Sequence, residues 1–459
     1  MTIRARRGGW SGIWAPMAVA ALLRLGLMLA AWLRTGTAVM TQGDTSSYLE
    51  PGRSLILHGY FANGGLAEID RTPGYPIFAM LAGMLSGNVL LAVTVQIVLS
   101  VGSVALLGRI ADHVFPDRSA GVVAAWLFAC EPISIVYSVR LMPETLYVFL
   151  LLLAIERVPA FQVRGRLWAV AAASVALVAA TFVRPVSYYL FPALALGLVF
   201  TAPRFGGLRW KAPVLLLAIA IPCLAAWQVR NWIETGYGGF SSIVEKNLYF
   251  FQSAEVTAET RQVSLGTVQK GLGYPDEASY LAAHPEQRTW GQAARLRFMR
   301  SYAMEILSRH PWLYLRSHLA GVGVVAFTPC AAEWLQLLGV YPKEPAMPRR
   351  ILNEGLLGSA RYVLLEHPAM AAWMVLLEVY LLVLYGLAIR GLFAGGGSKK
   401  MLLTLAGVAL YFLLISGGAQ AVGRYRLPVM GELCVLAAGG LVTLCRTQVS
   451  KSRPGAPEL

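Results

Sequence analysis

Charged residues are scarce in this sequence, and so are the residues that build disulfide or metal-held frameworks. Asp, Glu, Lys and Arg make up only 14% of the 459 residues, and there are six His and five Cys. The cysteines are odd in number and scattered, mostly within apolar stretches, so neither a disulfide framework nor a metal-ligand spacing is indicated. There is also no Gly-rich phosphate loop, nucleophile elbow or HExxH motif, which argues against ATP-driven and zinc-protease chemistry.

Apolar residues, in contrast, make up 57% of the chain and recur in stretches from residue 13 to residue 445. Each stretch is close to the roughly 20 residues that a helix needs to cross a hydrocarbon core of about 30 Å. Because lipid offers no partner for unpaired backbone groups, all of them are expected to be helices. The predicted spans are residues 13–33, 88–108, 119–139, 141–156, 167–183, 186–202, 212–229, 369–389, 401–422 and 427–445.

Two further stretches are harder to assign to a span. Residues 75–86 are too short to cross comfortably and predict an interfacial or re-entrant helix. Residues 312–328 contain an Arg and a His, and are either interfacial or one half of an even pair of crossings. The prediction is an all-α polytopic membrane protein, with about ten to twelve transmembrane helices and outer-face loops.

The start of the chain resembles a signal peptide, but Arg24 interrupts its apolar run, so an uncleaved first span is expected.

The net charge of +15 comes from Lys and Arg in the short connectors rather than from one basic stripe, which argues against a nucleic-acid partner. By the positive-inside bias, the N-terminus, the connectors 157–166, 203–211 and 390–400, and the tail are cytoplasmic.

This topology divides the chain into three predicted parts. Residues 1–229 form an N-terminal transmembrane module that includes the first outer loop (34–87). Residues 230–368 form an outer region long enough to cover a site, with the possible re-entrant helix at 312–328, and residues 369–459 form the last spans and the tail.

Asp44 and Arg71 stand out in the first outer loop. Asp44 follows the first span closely, so its carboxylate is expected near the outer membrane surface. A carboxylate there can act as a general base toward an acceptor hydroxyl, and an arginine can hold a phosphate leaving group. The alternative is that Asp44 is an ordinary N-cap and that Arg71 is anchored at the lipid headgroups.

Glu131 and Glu144 lie in the segment CEPISIVYSVRLMPETLYVF. Glu131 is expected within a span and Glu144 at the outer start of the next one. Ionisable groups at membrane depth usually face a cavity or a partner, so Glu144 is expected to reach the same outer cavity as Asp44. The alternative for Glu144 is a helix-start residue that is favoured by the helix dipole.

Arginines recur at the outer ends of spans. They are Arg184 in FVRPVSYY, Arg230 in WQVRNWIETG, and Arg424 with Arg426 in GRYRLP. Positive residues are disfavoured on the outer side, and binding a phosphate or pyrophosphate would explain them, because guanidinium groups match phosphate oxygens. Anchoring to lipid headgroups is the alternative for each of them.

Several of these segments together resemble the GT-C glycosyltransferase superfamily, in particular the bacterial relatives of protein O-mannosyltransferases and of the lipid A aminoarabinose transferase. The matching segments are the Asp after the first span with HGYF and RTPGYPIF, then LMPETLYVFLLLLA, the Arg184–Pro185 pair, RNWIETGYGGFSSIVEKNLYFF, and GRYRLPVMGELCVLAAGGL. They keep the order of the family and cover nearly the whole chain.

The resemblance implies inverting transfer of a hexose or pentose from a polyprenyl-phosphate donor, at the periplasmic face of a bacterial inner membrane. It makes Asp44 the expected catalytic base and Glu144 a second acidic residue of the cavity. The arginines that would hold the donor phosphate are Arg71, Arg184, Arg230, Arg424 and Arg426. Other expected cavity residues are Tyr48, Tyr75, Glu131, Asn231 and Tyr425.

The resemblance implies no metal and no cofactor, and the expected partners are the lipid-linked donor, membrane lipids and an envelope lipid, glycan or protein as acceptor. The first loop has one Asp rather than the adjacent acidic pair of eukaryotic protein O-mannosyltransferases, which puts a protein acceptor in doubt. Two other functions remain open. One is an O-antigen polymerase or ligase, and the other is a transporter or flippase that moves a lipid-linked substrate without forming a glycosidic bond.

Overall fold

The computed structural model describes residues 12–203, 205–341, 363–393 and 396–452, and regular structure in these residues is almost entirely helical. The arginine-rich start, residues 342–362 of the outer region and the last residues of the tail lie outside the described residues. The α-helices are Trp14–Thr35, Thr45–His58, Gly74–Ala82, Val89–Val114, Ser119–Ala129, Pro132–Val139, Glu144–Arg164, Leu167–Val183, Leu190–Thr201, Leu208–Thr235, Ile243–Asn247, Ala254–Arg261, Leu265–Gly271, Glu277–Ala283, Gln292–Arg309, Pro311–Phe327, Ala331–Leu337, Pro368–Phe393, Lys399–Ile415 and Leu427–Ser452. Short 3₁₀-helices are Thr37–Thr41, Met84–Ser86, Pro185–Ser187, Pro285–Gln287 and Gly423–Arg426, and Leu248–Ser253 is a π-helix. Two antiparallel two-residue strands, Ala62–Asn63 and Leu66–Ala67, complete the first outer loop.

Six helical segments in the described part of the chain are long and apolar enough to cross a membrane, which confirms the predicted all-α membrane fold. They are Trp14–Thr35, Val89–Val114, Glu144–Arg164, Leu208–Thr235, Pro368–Phe393 and Gly423–Thr447. Leu167–Val183 and Leu190–Thr201 are apolar but shorter. The predicted span 401–422 is α-helical only to Ile415, and four of the residues after it, Ser416, Gly417, Gln420 and Val422, line a cavity.

Two bent helix pairs raise the number of candidate spans to eight among the described residues. The first bent pair is Ser119–Ala129 with Pro132–Val139, bent by 54°, and the second is Pro311–Phe327 with Ala331–Leu337, bent by 53°. Each is either a broken span or a re-entrant loop. A break at membrane depth leaves carbonyl and N–H groups without helical partners, and other groups of the protein must satisfy them.

Arg24 supplies hydrogen bonds to polar groups at the break in the first bent pair. Its side chain is fully buried in the first helix and donates to the carbonyl of Ala129 at 2.9 Å and to the hydroxyl of Ser134 at 3.0 Å. Glu131, which is 2% exposed, caps the next helix because its carboxylate accepts from the N–H groups of Ile133 and Ser134. The arginine that interrupts the first apolar run therefore stabilises a neighbouring helix corner.

Arg426 does the same for the second bent pair. This residue is 3% exposed, and its guanidinium donates to the carbonyls of Val325, Ala326 and Thr328 at 2.7, 2.9 and 3.0 Å. These carbonyls belong to the last turn of a helix and to the residue after it, where no helical N–H follows. The predicted stretch 312–328 is thus a helix whose end is held by an arginine from the last span.

The two ends of the helical bundle carry different ion pairs. At one end, Glu156 pairs with Arg109 at 3.0 Å and with Arg157 at 3.2 Å, and Asp117 pairs with Arg446 at 2.5 Å. These residues belong to the ends of spans that adjoin the basic connectors. The opposite end bears the first outer loop and a helical cap, which we define as residues 236–310.

The cap has an apolar core of its own. Its short helices pack through a cluster that includes one residue of the first outer loop, and the members are Ile69, Tyr249, Phe250, Ala254, Leu272, Tyr280, Leu296 and Met299. The cap and the first outer loop are consequently one packed layer above the helix ends.

Candidate active site

A cavity of about 1630 Å³ lies between the helix ends and the cap. Pockets for single small ligands usually measure about 300–1,000 Å³, so this cavity has room for more than one substrate. Seven of the twelve predicted site residues line it, and these are Asp44, Tyr48, Arg71, Glu144, Arg184, Arg424 and Tyr425. They come from four separate parts of the sequence.

Asp44 occupies the N-cap position of helix Thr45–His58, yet its side chain accepts no capping hydrogen bond. Gly43 before it has φ = +76°, a left-handed conformation that glycine adopts without strain. The Asp44 carboxylate accepts a hydrogen bond from Arg424 Nη2 at 2.7 Å, and Arg71 Nη2 lies 4.0 Å from its other oxygen. The side chain remains 39% exposed to the cavity, so a substrate can reach it.

The arginines keep Asp44 ionised. Burial by itself raises the pKa of this carboxyl, but the charge and hydrogen bond of Arg424, together with the charges of Arg71 and Arg184, outweigh burial and lower the pKa below the usual 3.8. At neutral pH the carboxylate is therefore charged and able to accept a proton.

Arg71 is fixed in place by residues of the helix that Asp44 precedes. Its Nε donates to Ser47 Oγ and its Nη1 to the hydroxyl of Tyr48, both at 3.1 Å. The guanidinium carbon also lies 4.5 Å from the centre of the Tyr48 ring, within the range of a cation–π contact. This arrangement holds a positive charge beside Asp44 without pairing it closely to a carboxylate.

Glu144 and Arg184 form a second, more buried ion pair. Glu144 begins its span and is 1% exposed, and one of its oxygens accepts from Arg184 Nη1 at 2.9 Å. The other oxygen is buried and has no hydrogen-bond partner in the part of the chain that the structure describes. The Arg184 guanidinium also lies 5.6 Å from the Tyr425 ring and 6.0 Å from the Tyr147 ring. The pair borders the same cavity as Asp44, as the sequence predicts for Glu144.

Arg424 lies in the 3₁₀ turn Gly423–Arg426, which leads into the last span. Its side chain is 23% exposed, and its guanidinium carbon lies 5.5 Å from the centre of the Tyr425 ring. The side chain thus has donor capacity beyond its bond to Asp44. An anion in the cavity could use it.

Arg230 and Asn231 do not line the cavity. Arg230 donates to the backbone carbonyls of Phe61 and Glu68, both at 2.7 Å, and Asn231 is fully buried and donates to the carbonyl of Gly239 at 2.9 Å. They tie the last turns of their span to the first outer loop and to the cap.

Tyr75, Glu131 and Arg426 also lie outside the cavity lining. Tyr75 is fully buried, and its hydroxyl donates to Gln96 Oε1 at 2.8 Å. Glu131 and Arg426 form hydrogen bonds with backbone groups at the two helix breaks. The geometry therefore separates Arg424, which faces the cavity, from Arg426 two residues later, which holds backbone.

The cavity also contains polar residues that the sequence analysis did not single out. Arg140 and Glu333 line it, and so does Lys246, which pairs with Asp70 across the boundary between cap and first loop. Arg140 stands in the segment SVRLMPET, where the same reasoning about outer arginines would have found it. Glu333 offered no signal, because a single Glu in a short apolar helix is not distinctive.

Among the residues that the structure describes, no three His, Cys, Asp or Glu side chains gather in a way that could hold a metal ion. A metal-free reaction remains a prediction.

Comparison with protein-family models gives no match, and neither does comparison with curated protein sequences. Among solved structures, the fold is similar to the archaeal oligosaccharyltransferase AglB from Archaeoglobus fulgidus in complex with an inhibitory peptide and a dolichol-phosphate. The TM-score is 0.50 and the identity 11%, over 97% of this chain and 52% of the other. An Archaeoglobus fulgidus oligosaccharyltransferase tethered to an acceptor peptide with an NVT sequon gives a TM-score of 0.49 and 12% identity, over 96% and 50%.

The chain spans about half the length of these archaeal proteins. At such low identity the likeness at a TM-score of 0.50 concerns the fold alone, and it supports the predicted all-α membrane fold but not the particular bacterial relatives that the sequence resembles.

Proposed function

We propose that this protein is a membrane glycosyltransferase that transfers a sugar from a polyprenyl-phosphate donor to an acceptor hydroxyl, with inversion and with Asp44 as the general base. The observation that supports it most is the meeting of one accessible carboxylate, Asp44, with Arg424 and Arg71 in a cavity at the helix ends. This is the boundary at which a lipid-dissolved carrier would present its water-soluble sugar. The dolichol-phosphate bound to the archaeal relative in fold is a lipid phosphate of similar chemistry.

The ion pairs formed by Asp44 and Glu144 suit a single phosphodiester. In these pairs Arg71, Arg184 and Arg424 bring three positive charges, and Asp44 and Glu144 bring two negative ones. Within this group, the excess of one positive charge matches the single negative charge of a polyprenyl-phosphate sugar. Guanidinium groups also donate two hydrogen bonds to neighbouring phosphate oxygens.

In the proposed reaction, the acceptor oxygen attacks the anomeric carbon from the side opposite the phosphate. The bond between that carbon and the phosphate oxygen breaks, polyprenyl phosphate departs with the electron pair, and the hydroxyl proton passes to Asp44. Arg424 and Arg71 stabilise the charge on the departing phosphate. Donor phosphate competes with Asp44 for Arg424, so donor binding would free the carboxylate and strengthen it as a base.

We place the site at the periplasmic face of a bacterial inner membrane, because the basic connectors belong to the opposite end of the bundle. The acceptor would be an envelope lipid, glycan or protein. The cap, which forms the outer wall of the cavity, is the part best placed to recognise it. A transporter would move the donor through the same cavity without forming a glycosidic bond, so measuring both movement and transfer separates the two functions.

The test is sugar transfer by the purified protein in lipid nanodiscs, with a synthetic polyprenyl-phosphate monosaccharide and an extract of the cell envelope as the source of acceptor. Release of polyprenyl phosphate and gain of sugar mass in the extract are both measured. Transfer by the wild type and loss of transfer in Asp44→Asn support the proposal. Full transfer by Asp44→Asn rejects Asp44 as base, and movement of the donor across proteoliposomes with no new glycosidic bond identifies a transporter.

A further inference from the structure

A second polar cluster lines the cavity where the two bent helix pairs meet. Arg140 follows the first bent pair, and its Nη2 donates to Gln336 Oε1 at 2.8 Å and to the backbone carbonyl of Glu333 at 3.2 Å. Glu333 and Gln336 belong to the short helix of the second bent pair. All three side chains line the cavity, and we call them the Arg140 corner.

The Arg140 corner has hydrogen-bonding capacity that the protein leaves unused. Arg140 is 9% exposed, and its Nε is buried without a hydrogen-bond partner among the described residues. Glu333 Oε2 is likewise buried and has no partner in that part of the chain. Buried polar groups in proteins are nearly always paired, and the three side chains of this corner line the cavity, so a ligand bound there could add the missing hydrogen bonds.

The Arg140 corner is joined directly to the segment that carries Asp44. The N–H of Leu141 donates to the carbonyl of Met40 at 2.8 Å, and the hydroxyl of Thr45 donates to the carbonyl of Leu141 at 3.0 Å. Leu141 adjoins Arg140, and Thr45 adjoins Asp44. The corner therefore adjoins the segment whose carboxylate faces the cavity.

We propose that the Arg140 corner binds hydroxyl groups of the donor's sugar ring and thereby selects which sugar is transferred. This inference rests on the proposed function. A sugar hydroxyl donates and accepts, and the corner offers both: Arg140 donates, the carboxylate of Glu333 accepts, and the amide of Gln336 does either.

Other ligand classes fit the corner less well. A second phosphate would meet the negative charge of Glu333, and an apolar polyprenyl chain would leave the buried polar atoms unpaired. The donor sugar fits better than the acceptor, because its anomeric carbon must lie beside the hydroxyl that Asp44 deprotonates, and the corner adjoins the segment that carries Asp44. The cap wall on the far side of the cavity remains for the acceptor.

The experiment compares three donors, the polyprenyl phosphates of glucose, mannose and galactose. Mannose and galactose each differ from glucose in the configuration of one hydroxyl. Transfer is measured as kcat/KM with an envelope extract, and binding of each donor is measured by isothermal titration calorimetry. The variants are Glu333→Gln and Gln336→Leu. The control is Trp334→Phe, on the same helix, whose ring packs 5.6 Å from Trp373 and does not line the cavity.

We expect the wild type to prefer one sugar, and the two variants to reduce that preference about tenfold or more in kcat/KM and in Kd, because a lost hydrogen bond to a substrate hydroxyl removes discrimination. The control should keep the wild-type preference. Unchanged ratios in both variants, equal binding of all three donors by the wild type, or an effect on acceptor KM alone would each overturn the inference. A wild type that binds a preferred donor but transfers none contradicts the proposed function, while its Kd ratios still decide the role of the corner.

Discussion

Asp44 Oδ2 and Arg424 Nη2 lie 2.7 Å apart although 380 residues separate them in the chain. Asp44 follows the first span and Arg424 precedes the last helix. The ion pair therefore connects the first and last membrane-spanning parts of the chain. The pair borders open cavity rather than packed core, and 39% of the Asp44 side chain is exposed.

Asp44→Asn should lower sugar transfer about a hundredfold or more, because a neutral amide cannot take the proton of the acceptor hydroxyl. Thermal unfolding in detergent should change little, since the side chain is partly exposed. Asp117→Asn is the matched control, because Asp117 forms its ion pair with Arg446 at the far end of the bundle. Transfer at the wild-type rate by Asp44→Asn would contradict the assignment.

The pH dependence of transfer should reflect the lowered pKa of Asp44. Because the folded protein holds this carboxyl below its usual pKa of 3.8, activity and the stabilising contribution of the charged pair persist above that pH and are lost only as the pH falls through the lowered pKa. Arg424→Met removes the largest opposing charge, so the acid limb of the kcat/KM profile should move to higher pH. A limb that stays at the same pH in this variant would show that another group controls it.

Arg426→Ala should destabilise the fold by about 3 kcal/mol or more, because three backbone carbonyls at a buried helix end lose their donor. Arg424→Ala, two residues earlier, should unfold close to the wild-type temperature but bind donor poorly. Unfolding in detergent and donor binding by calorimetry separate the two effects. The reverse pattern would mean that Arg426, not Arg424, holds the phosphate.

Glu144→Gln should destabilise the protein by roughly 3–5 kcal/mol, since it leaves Arg184 without its buried partner. The double variant Glu144→Gln with Arg184→Met removes both charges and should be more stable than Glu144→Gln alone. A double-mutant cycle on unfolding free energies measures this coupling. Additive effects would indicate that the two side chains are screened from each other.

Much of the fold could be predicted from the sequence. Hydropathy located each predicted span at a helix or a bent pair, because a lipid-crossing segment must be apolar and must pair its own backbone groups. The bend of the first pair was missed: Pro132 marks it, but Arg24, which binds the carbonyl of Ala129 at the break, lies 105 positions earlier in the chain. At 312–328 a re-entrant helix was among the predictions, and the second bent pair begins there.

The candidate site could be predicted in part. Asp44, Arg71, Glu144, Arg184 and Arg424 were selected by charge and by their position at helix ends, and they do line one cavity. Arg230 and Arg426 satisfied the same criteria but bind backbone carbonyls. The position of a residue in the sequence does not determine the direction in which its side chain points.

By itself the sequence determined that this is a helical membrane protein and that the arginines and carboxylates at one set of span ends lie at one end of the bundle. Placing polar groups in hydrocarbon is costly, so the order of apolar and charged residues along the chain is enough to predict both. Only the tertiary structure decided which arginines face the cavity, which cap broken helices, and that Arg140 and Glu333 meet beside Asp44. Those outcomes depend on contacts between residues far apart in the chain, and the free energy of such contacts is fixed by packing geometry that no local pattern records.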